Sequence, residues 1–322
     1  MSFPGTYVLR RMLIAVPSLL GISVVLFTVL ALAPGDPFGE IVSNPNIPAE
    51  VAANLRKSFG MDDPVMIRYF RWFAAMMHGD WGFSFASRIN VSDLILQRLP
   101  NTLAVVGVAY LISVLMAIPI GMISAVRRYS LFDHIATTVA FMGFSVPTFF
   151  TGTLLIIIFS VELHWFPFIY DSTLQVKDLG SLGQQLKQSI MPIAVLALFN
   201  TATLARYMRS EMLEHLPLDY VRTARAKGLT ERFVVLRHVL RNSLIPIVTL
   251  VALGVPAVFA GAIITEQIFR VPGLGELLIR SITQTDTPVV AGLVFVFGVL
   301  VVLFNLIADV LYAVLDPRIR YG

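Results

Sequence analysis

The residues that could perform chemistry in this chain are few, and their spacing matches no catalytic motif. The five histidines form no HExxH pair, so no zinc site is predicted. Ser84 and Ser145 each follow a Gly-Phe pair but lack the closing glycine of a nucleophile elbow. None of the four lysines stands in a phosphate-binding loop, and the chain has no cysteine. The sequence therefore predicts no catalytic residue, no metal site and no enzyme.

Composition indicates that the elements of this chain lie in a membrane. Only 14% of the residues are charged and 57% are hydrophobic, whereas a soluble domain averages about 25% charged residues. Lipid requires an apolar exterior, which explains the surplus of apolar residues. Uncharged runs long enough to cross the hydrocarbon core cover residues 12–35, 99–126, 135–161, 188–205, 242–265 and 287–308. We predict an all-α integral membrane protein with six transmembrane helices in a single domain, 1–322.

Charge predicts the orientation of these spans. The segments 127–134, 206–241 and 309–322 together carry 12 basic and 7 acidic residues, and the first span follows Arg10 and Arg11. The segments on the opposite side are the long loop 36–98 and the segments 162–187 and 266–286. They carry more acidic than basic residues, and they include all three tryptophans. Basic residues accumulate on the cytoplasmic side of membrane proteins, so both termini are predicted to be cytoplasmic. The first run is longer than a signal-peptide core and is predicted to be a retained anchor.

The cytoplasmic segment 206–241 is predicted to contain a short helix between the fourth and fifth spans. Asp219 is predicted to be its N-cap and Gly228 the left-handed residue that ends it. Tyr220 and Ala224 belong to a small apolar face that suits docking into a cleft of a cytoplasmic partner. Charge alone favours a simpler interpretation, in which the basic residues of this segment only fix its side of the membrane.

Neutral polar residues in the spans are candidates for a translocation path. The six runs contain no charged residue and no histidine, so a proton relay or an intramembrane protease is not predicted. Asn200, Thr201 and Thr203 place three polar groups within four residues of the fourth span. Such groups favour a water-filled path or a partner helix over lipid, which makes them the candidates.

The segment 219–228 resembles the signature of the permease subunits of binding-protein-dependent ABC importers, in the dipeptide/oligopeptide branch. Ala224 and Gly228 match the second Ala and the Gly of that signature, whereas Arg222 and Thr223 replace its Glu and first Ala. Further landmarks of the branch follow in order at 34–37, 79–82, 98–102, 272–275 and 315–318. The resemblance extends over roughly residues 34 to 318.

This resemblance implies that the short helix is a coupling helix. Its ATPase-coupling residues would be Asp219, Tyr220, Ala224 and Gly228. Two cytoplasmic ATPase subunits would bind the ATP, so the chain would hold no cofactor of its own. A second permease, forming a homologous heterodimer, would complete the pore among membrane lipids, and no nucleic acid is involved.

The resemblance further implies a soluble extracytoplasmic binding protein that delivers peptides to the outer loops. The candidates to face that protein are Glu266, Arg270 and Glu276, which flank the Pro-Gly-Leu-Gly turn at 272–275. The implied location is the inner membrane of a bacterium or an archaeon. Nickel or other metal chelates, glutathione and oligosaccharides are alternative substrates. A secondary carrier or channel is a weaker alternative, because the spans show neither midplane charges nor an internal repeat.

Overall fold

Nearly all of the chain that can be described is helical. The computed structural model describes residues 4–32, 63–174 and 176–315. The landmark at 34–37 and residues 316–318 lie outside these ranges. The helices are α1 (Pro4–Leu32), α2 (Val65–Met77), α3 (Val91–Val126), α4 (Leu131–Ser145), α5 (Thr148–Leu155), α6 (Leu179–His215), α7 (Asp219–Ala226), α8 (Glu231–Phe269), α9 (Leu274–Thr283) and α10 (Thr287–Leu315). Helix α5 continues as a π-helix, Ile156–Glu162, and α8 contains a π-helical segment, Val234–Val239.

The prediction of an all-α membrane protein is confirmed. Within the described ranges, α1, α3, α6, α8 and α10 are each long and apolar enough to cross a membrane. Helices α6 and α8 are 37 and 39 residues long. At about 1.5 Å per residue, both extend well beyond a hydrocarbon core roughly 30 Å thick. These two helices therefore reach from the membrane to the segment that connects them, which contains α7.

The predicted run 135–161 is not one continuous helix but a bent pair. Helices α4 and α5 meet at an angle of 103°, and together they supply a sixth candidate span. Pro147 lacks a backbone N–H, and its ring disfavours the helical conformation at the preceding residue. Val146 is accordingly extended, with φ −91° and ψ 124°. A hydropathy pattern does not register this break, because the apolar residues continue on both sides of it.

The centre of the domain is a close contact between α3 and α6. A Cβ atom at Gly121 would lie 2.6 Å from the Cβ of Met208 and 2.7 Å from the carbonyl oxygen of Ala205. Only glycine allows the two backbones to approach this far, as in other closely packed membrane helices. By contrast, α1 packs at the periphery, where the Tyr69 hydroxyl of α2 lies 2.9 Å from the Ser23 hydroxyl.

Candidate functional site

The short helix predicted in the segment 206–241 is present as α7, but Asp219 is not its N-cap. The N-cap is Leu218, which is extended with ψ 154° and makes no side-chain capping bond. Asp219 is instead the first helical residue, with a side chain that is 98% exposed. An acidic residue in the first turn still stabilises a helix, because it faces the positive end of the helix dipole. The prediction placed an acidic residue at the correct end of the helix, but the N-cap lies one residue earlier in the chain than predicted.

Gly228 ends this element in a left-handed conformation, as predicted. Its φ is +79°, its N–H donates to the Arg225 carbonyl at 2.9 Å, and the next N–H, of Leu229, donates to the Ala224 carbonyl at 3.4 Å. A Cβ atom at this position would meet nothing within 4 Å. Glycine is therefore required here by backbone conformation and not by lack of space.

A charged pair ties the end of α7 to the start of α8. The guanidinium of Arg225 donates two hydrogen bonds to the carboxylate of Glu231, at 2.6 and 3.0 Å. These bonds raise the pKa of Arg225 above its usual range. Such a bidentate pair fixes orientation as well as distance. Together with the Gly228 turn, it gives α7 one defined position relative to α8.

The apolar face of α7 is turned into the protein, which corrects the expectation that Ala224 contacts a partner. Val221 is fully buried and Ala224 is 5% exposed. Both belong to a cluster that contains Met208 and Met212 of α6 and Val235 of α8. The sequence predicted an apolar stripe correctly, but a stripe does not show which surface it covers. The residues of α7 that remain exposed are Asp219, Arg222, Thr223, Arg225 and Ala226.

Tyr220 lies between these two faces and contacts the end of α6. Its hydroxyl lies 3.1 Å from Nδ1 of His215, and the two rings meet edge to face with centroids 6.3 Å apart. The side chain is half-buried. Tyr220 therefore links α7 to α6 while part of its ring remains at the surface.

Of the three polar residues predicted to line a path, all in α6, two have hydrogen-bonded side chains and one does not. The Asn200 amide donates to the Leu196 carbonyl at 2.7 Å, and the Thr203 hydroxyl donates to the Phe199 carbonyl at 3.3 Å. Thr201 is buried, and its hydroxyl has no hydrogen-bond partner within the described residues. Asn200 and Thr203 are only partly buried, so these two stay candidates for a path lining.

At the other end of α8, Glu266 is buried and organises the Pro-Gly-Leu-Gly turn. Its side chain is 1% exposed, which corrects the expectation that it faces a binding protein. Its carboxylate accepts hydrogen bonds from the Thr102 hydroxyl at 2.6 Å and from the N–H groups of Gly275 and Glu276 at 2.6 and 3.2 Å. A side chain at Gly273 would overlap this carboxylate. The glycine of the landmark therefore makes room for a buried acid.

Two further contacts hold the same turn against α3. The amide of Asn101 donates to the Pro272 carbonyl at 2.9 Å, and Arg98 forms an ion pair with Glu276 at 3.3 Å. With Thr102, these residues lie at i, i+3 and i+4 and share one face of α3. The landmarks at 98–102 and 272–275 are thus two halves of one contact. Arg270, in contrast, is exposed and left-handed, with φ 55°.

Two buried acids were missed in the sequence because their partners lie far away along the chain. Asp133, which is 2% exposed, accepts two hydrogen bonds from the Arg209 guanidinium, at 2.7 and 2.9 Å. Asp286, also 2% exposed, accepts from the Ser84 hydroxyl at 2.5 Å and from two backbone N–H groups. The one signal in the sequence was the position of Ser84, two residues after the landmark at 79–82. Among the described residues no cluster of metal-ligating side chains occurs.

Comparison with known proteins identifies the class. Residues 117–321 match the model of the binding-protein-dependent transport system inner membrane component, and residues 5–106 match the model of its N-terminal membrane component. The chain belongs to this family of membrane permeases.

Among the curated relatives, the chain is 41% identical to the oligopeptide transport system permease protein AppB of Bacillus subtilis (strain 168), over 98% of this chain and 100% of that one. It is 36% identical to the dipeptide transport system permease protein DppB of Escherichia coli (strain K12), over 98% of both chains. The fold is also similar to that of the MetNI methionine ABC transporter in an inward-facing conformation. That likeness has a TM-score of 0.51 at 16% identity and covers 69% of this chain and 96% of the other.

Proposed function

We propose that this chain is the membrane-spanning permease of an ATP-driven importer for peptides or peptide-like solutes. The observation that carries this proposal is the full-length similarity to proteins named oligopeptide and dipeptide permeases. The family model adds dependence on a binding protein. The importer lies in the inner membrane of a bacterium or an archaeon, with the whole of 1–322 forming one transmembrane domain and both termini in the cytoplasm.

In this proposal α7 is the coupling helix that docks on an ATPase subunit. The exposed residues Asp219, Arg222 and Thr223, with the free edge of Tyr220, make the contact. Ala224 and Gly228 act by position: the first anchors the helix to the domain and the second ends it. The departures from the general signature, Arg222 and Thr223, fall on this exposed face, so they alter the contact and not the fold.

Coupling follows from how α7 is anchored. When ATP closes two ATPase subunits, each α7 moves with the subunit that holds it. Val221 and Ala224 lie in one cluster with side chains of α6 and α8, so a displacement of α7 acts on both helices. ATP can shift the equilibrium between inward- and outward-facing arrangements only by binding one of them more tightly. The rigid attachment of α7 transmits that preference.

Different residues are assigned to the translocation path and to the surface that meets the binding protein. Asn200 and Thr203 line the translocation path between this chain and a homologous second permease, which completes the pore. Arg270 and Glu276 face the extracytoplasmic binding protein. ATP is bound and hydrolysed by the partner subunits, and this chain supplies no cofactor site.

A topology and transport experiment tests this proposal. Reporters fused after His78 and Lys177 are expected to be active outside, and one fused after Thr230 inside. A cytoplasmic signal after His78 would refute the orientation. The chain is then co-purified with its genetic neighbours and reconstituted in vesicles, where ATP-dependent uptake of a labelled dipeptide is expected only with two ATPase subunits and the binding protein.

In the same vesicles, competition between the labelled dipeptide and unlabelled solutes identifies the substrate class. Excess unlabelled peptide is expected to abolish uptake, whereas a nickel chelate, glutathione or an oligosaccharide leaves it unchanged. Uptake by this chain alone, without ATPase subunits, would instead support a secondary carrier.

A further inference from the structure

A polar cleft lies beside the Pro-Gly-Leu-Gly turn, between the end of α8 and one face of α9. Its volume is about 330 Å³. On α9 the lining residues recur at three- and four-residue spacing, so they share one face of that helix. The lining consists of Gln267, Arg270, Glu276, Ile279, Arg280 and Thr283.

The charges in this cleft are not balanced. The carboxylate of Glu276 is engaged by Arg98 of α3 at 3.3 Å. Glu266, the preceding acid in the chain, is not among the residues that line the cleft, and its carboxylate accepts hydrogen bonds from Thr102 and from backbone N–H groups. Arg270 and Arg280 are both exposed, and neither forms an ion pair within the described residues. Glu276 is thus balanced by Arg98, and the charges of Arg270 and Arg280 remain in excess in the cleft.

The backbone segments that carry the two arginines are tied together by Glu266. Arg270 ends α8 in a left-handed conformation, and the following N–H, of Val271, donates to the Glu266 carbonyl at 3.0 Å. The carboxylate of the same Glu266 accepts the N–H groups of the first turn of α9, which carries Arg280. Glu266 thus links the end of α8 to the first turn of α9 through its backbone and its side chain. The backbone at this site therefore needs no rearrangement when an anion binds, and the entropy lost is that of the arginine side chains.

We infer that this cleft accepts the carboxylate of an aspartate or glutamate side chain on the surface of the extracytoplasmic binding protein. Guanidinium groups favour carboxylates because they donate paired hydrogen bonds in a matching plane. A protein side chain is favoured over a free peptide, because both arginines are exposed at the surface of this chain, one directly after α8 and the other on α9. This inference rests on the proposed function, which places this end of α8 outside the cell.

The test uses the complete transporter, with its ATPase subunits and second permease, in lipid vesicles. The concentration of binding protein that gives half-maximal stimulation of ATP hydrolysis is measured for wild type, Arg280→Glu and Arg270→Glu. Both substitutions are expected to raise this concentration at least about tenfold, because each brings a negative charge toward an acidic partner. The difference is expected to shrink at about 0.5 M salt, because exposed charges are screened.

Two matched variants separate charge from fold. Lys177→Glu makes the same charge reversal in a different outer segment, outside the cleft, and is expected to leave the half-maximal concentration unchanged. Arg280→Lys keeps the charge and is expected to lie between wild type and Arg280→Glu.

The inference is wrong if wild type responds to the binding protein and both arginine variants respond at the same concentration as wild type. It is also wrong if the variants weaken binding of free peptide but not of the binding protein, because the cleft would then be a substrate site. A wild-type complex that does not respond to any binding protein refutes the proposed function itself, and the inference with it.

Discussion

The conformation of Gly228 leads to a quantitative prediction for α7, the proposed coupling helix. Gly228→Val introduces a β-branched side chain at φ +79°. A Cβ atom there meets nothing within 4 Å, so the whole cost comes from the backbone. For a residue with a Cβ atom, the left-handed conformation costs about 1–2 kcal/mol. The variant relieves this strain by leaving the conformation, which breaks the hydrogen bonds that end α7.

The expected consequence is a loss of coupling without a loss of insertion. Val221 and Ala224 remain buried against α6 and α8, and the spans do not depend on this turn. The exposed face of α7 is nevertheless misdirected. A penalty of about 1–2 kcal/mol on the correct orientation corresponds to an affinity for the ATPase lowered by about 5- to 30-fold. Uptake is expected to fall with it.

The assay compares membrane abundance, co-purification of the ATPase and uptake in the same cells. Gly183→Val is the matched control, because a Cβ atom at Gly183 also meets nothing within 4 Å and its backbone is not left-handed. Gly228→Asn is expected to retain most activity, since asparagine tolerates the left-handed conformation. Wild-type uptake and co-purification in Gly228→Val would refute the assignment of 219–228. Loss of the protein from the membrane would show that the turn acts in folding.

Two predictions concern the packing of α6. Arg209→Ala leaves the carboxylate of Asp133 buried without its cation and is expected to destabilise the purified chain by about 3 kcal/mol, measured as a lower melting temperature in detergent. The double variant with Asp133→Asn is expected to recover part of that loss, and an additive result would contradict the pairing. Gly121→Leu is expected to abolish stable insertion, because its Cβ would lie 2.6 Å from that of Met208. Gly107→Leu, in the same helix but with no atom within 4 Å of the added Cβ, is expected to be tolerated in a blot of membrane fractions.

Local features of the chain were predictable where a short stretch of residues determines them. The helix at 219–226 and the left-handed Gly228 follow from turn and capping preferences that act over a few residues. The positions of the apolar residues on this helix were predictable for the same reason, because they follow from spacing within one short segment. The N-cap was predicted one residue too late, at Asp219, because Leu218 adopts the extended conformation of an N-cap without a capping side chain.

The partners of buried polar residues could not be predicted, because they come from distant parts of the chain. Asp133 and Arg209 are 76 residues apart, and Thr102 and Glu266 are 164 residues apart. In the sequence, Glu266 stands at the end of an apolar run among loop residues, which is where exposed acids are common. Only the packing of α3 against the turn at 272–275 places it inside.

Composition and periodicity by themselves determined that this chain is an all-α membrane protein, because lipid forces backbone groups to be satisfied within helices and apolar residues to face outward. Segment length determined which runs are long enough to cross. The tertiary structure alone decided which side of each helix is covered. It turned Ala224 inward and left Arg222 exposed, and it buried Glu266 while leaving Arg270 at the surface. The reason is that an amphipathic pattern specifies a face, whereas the surface that covers that face is supplied by residues elsewhere in the chain.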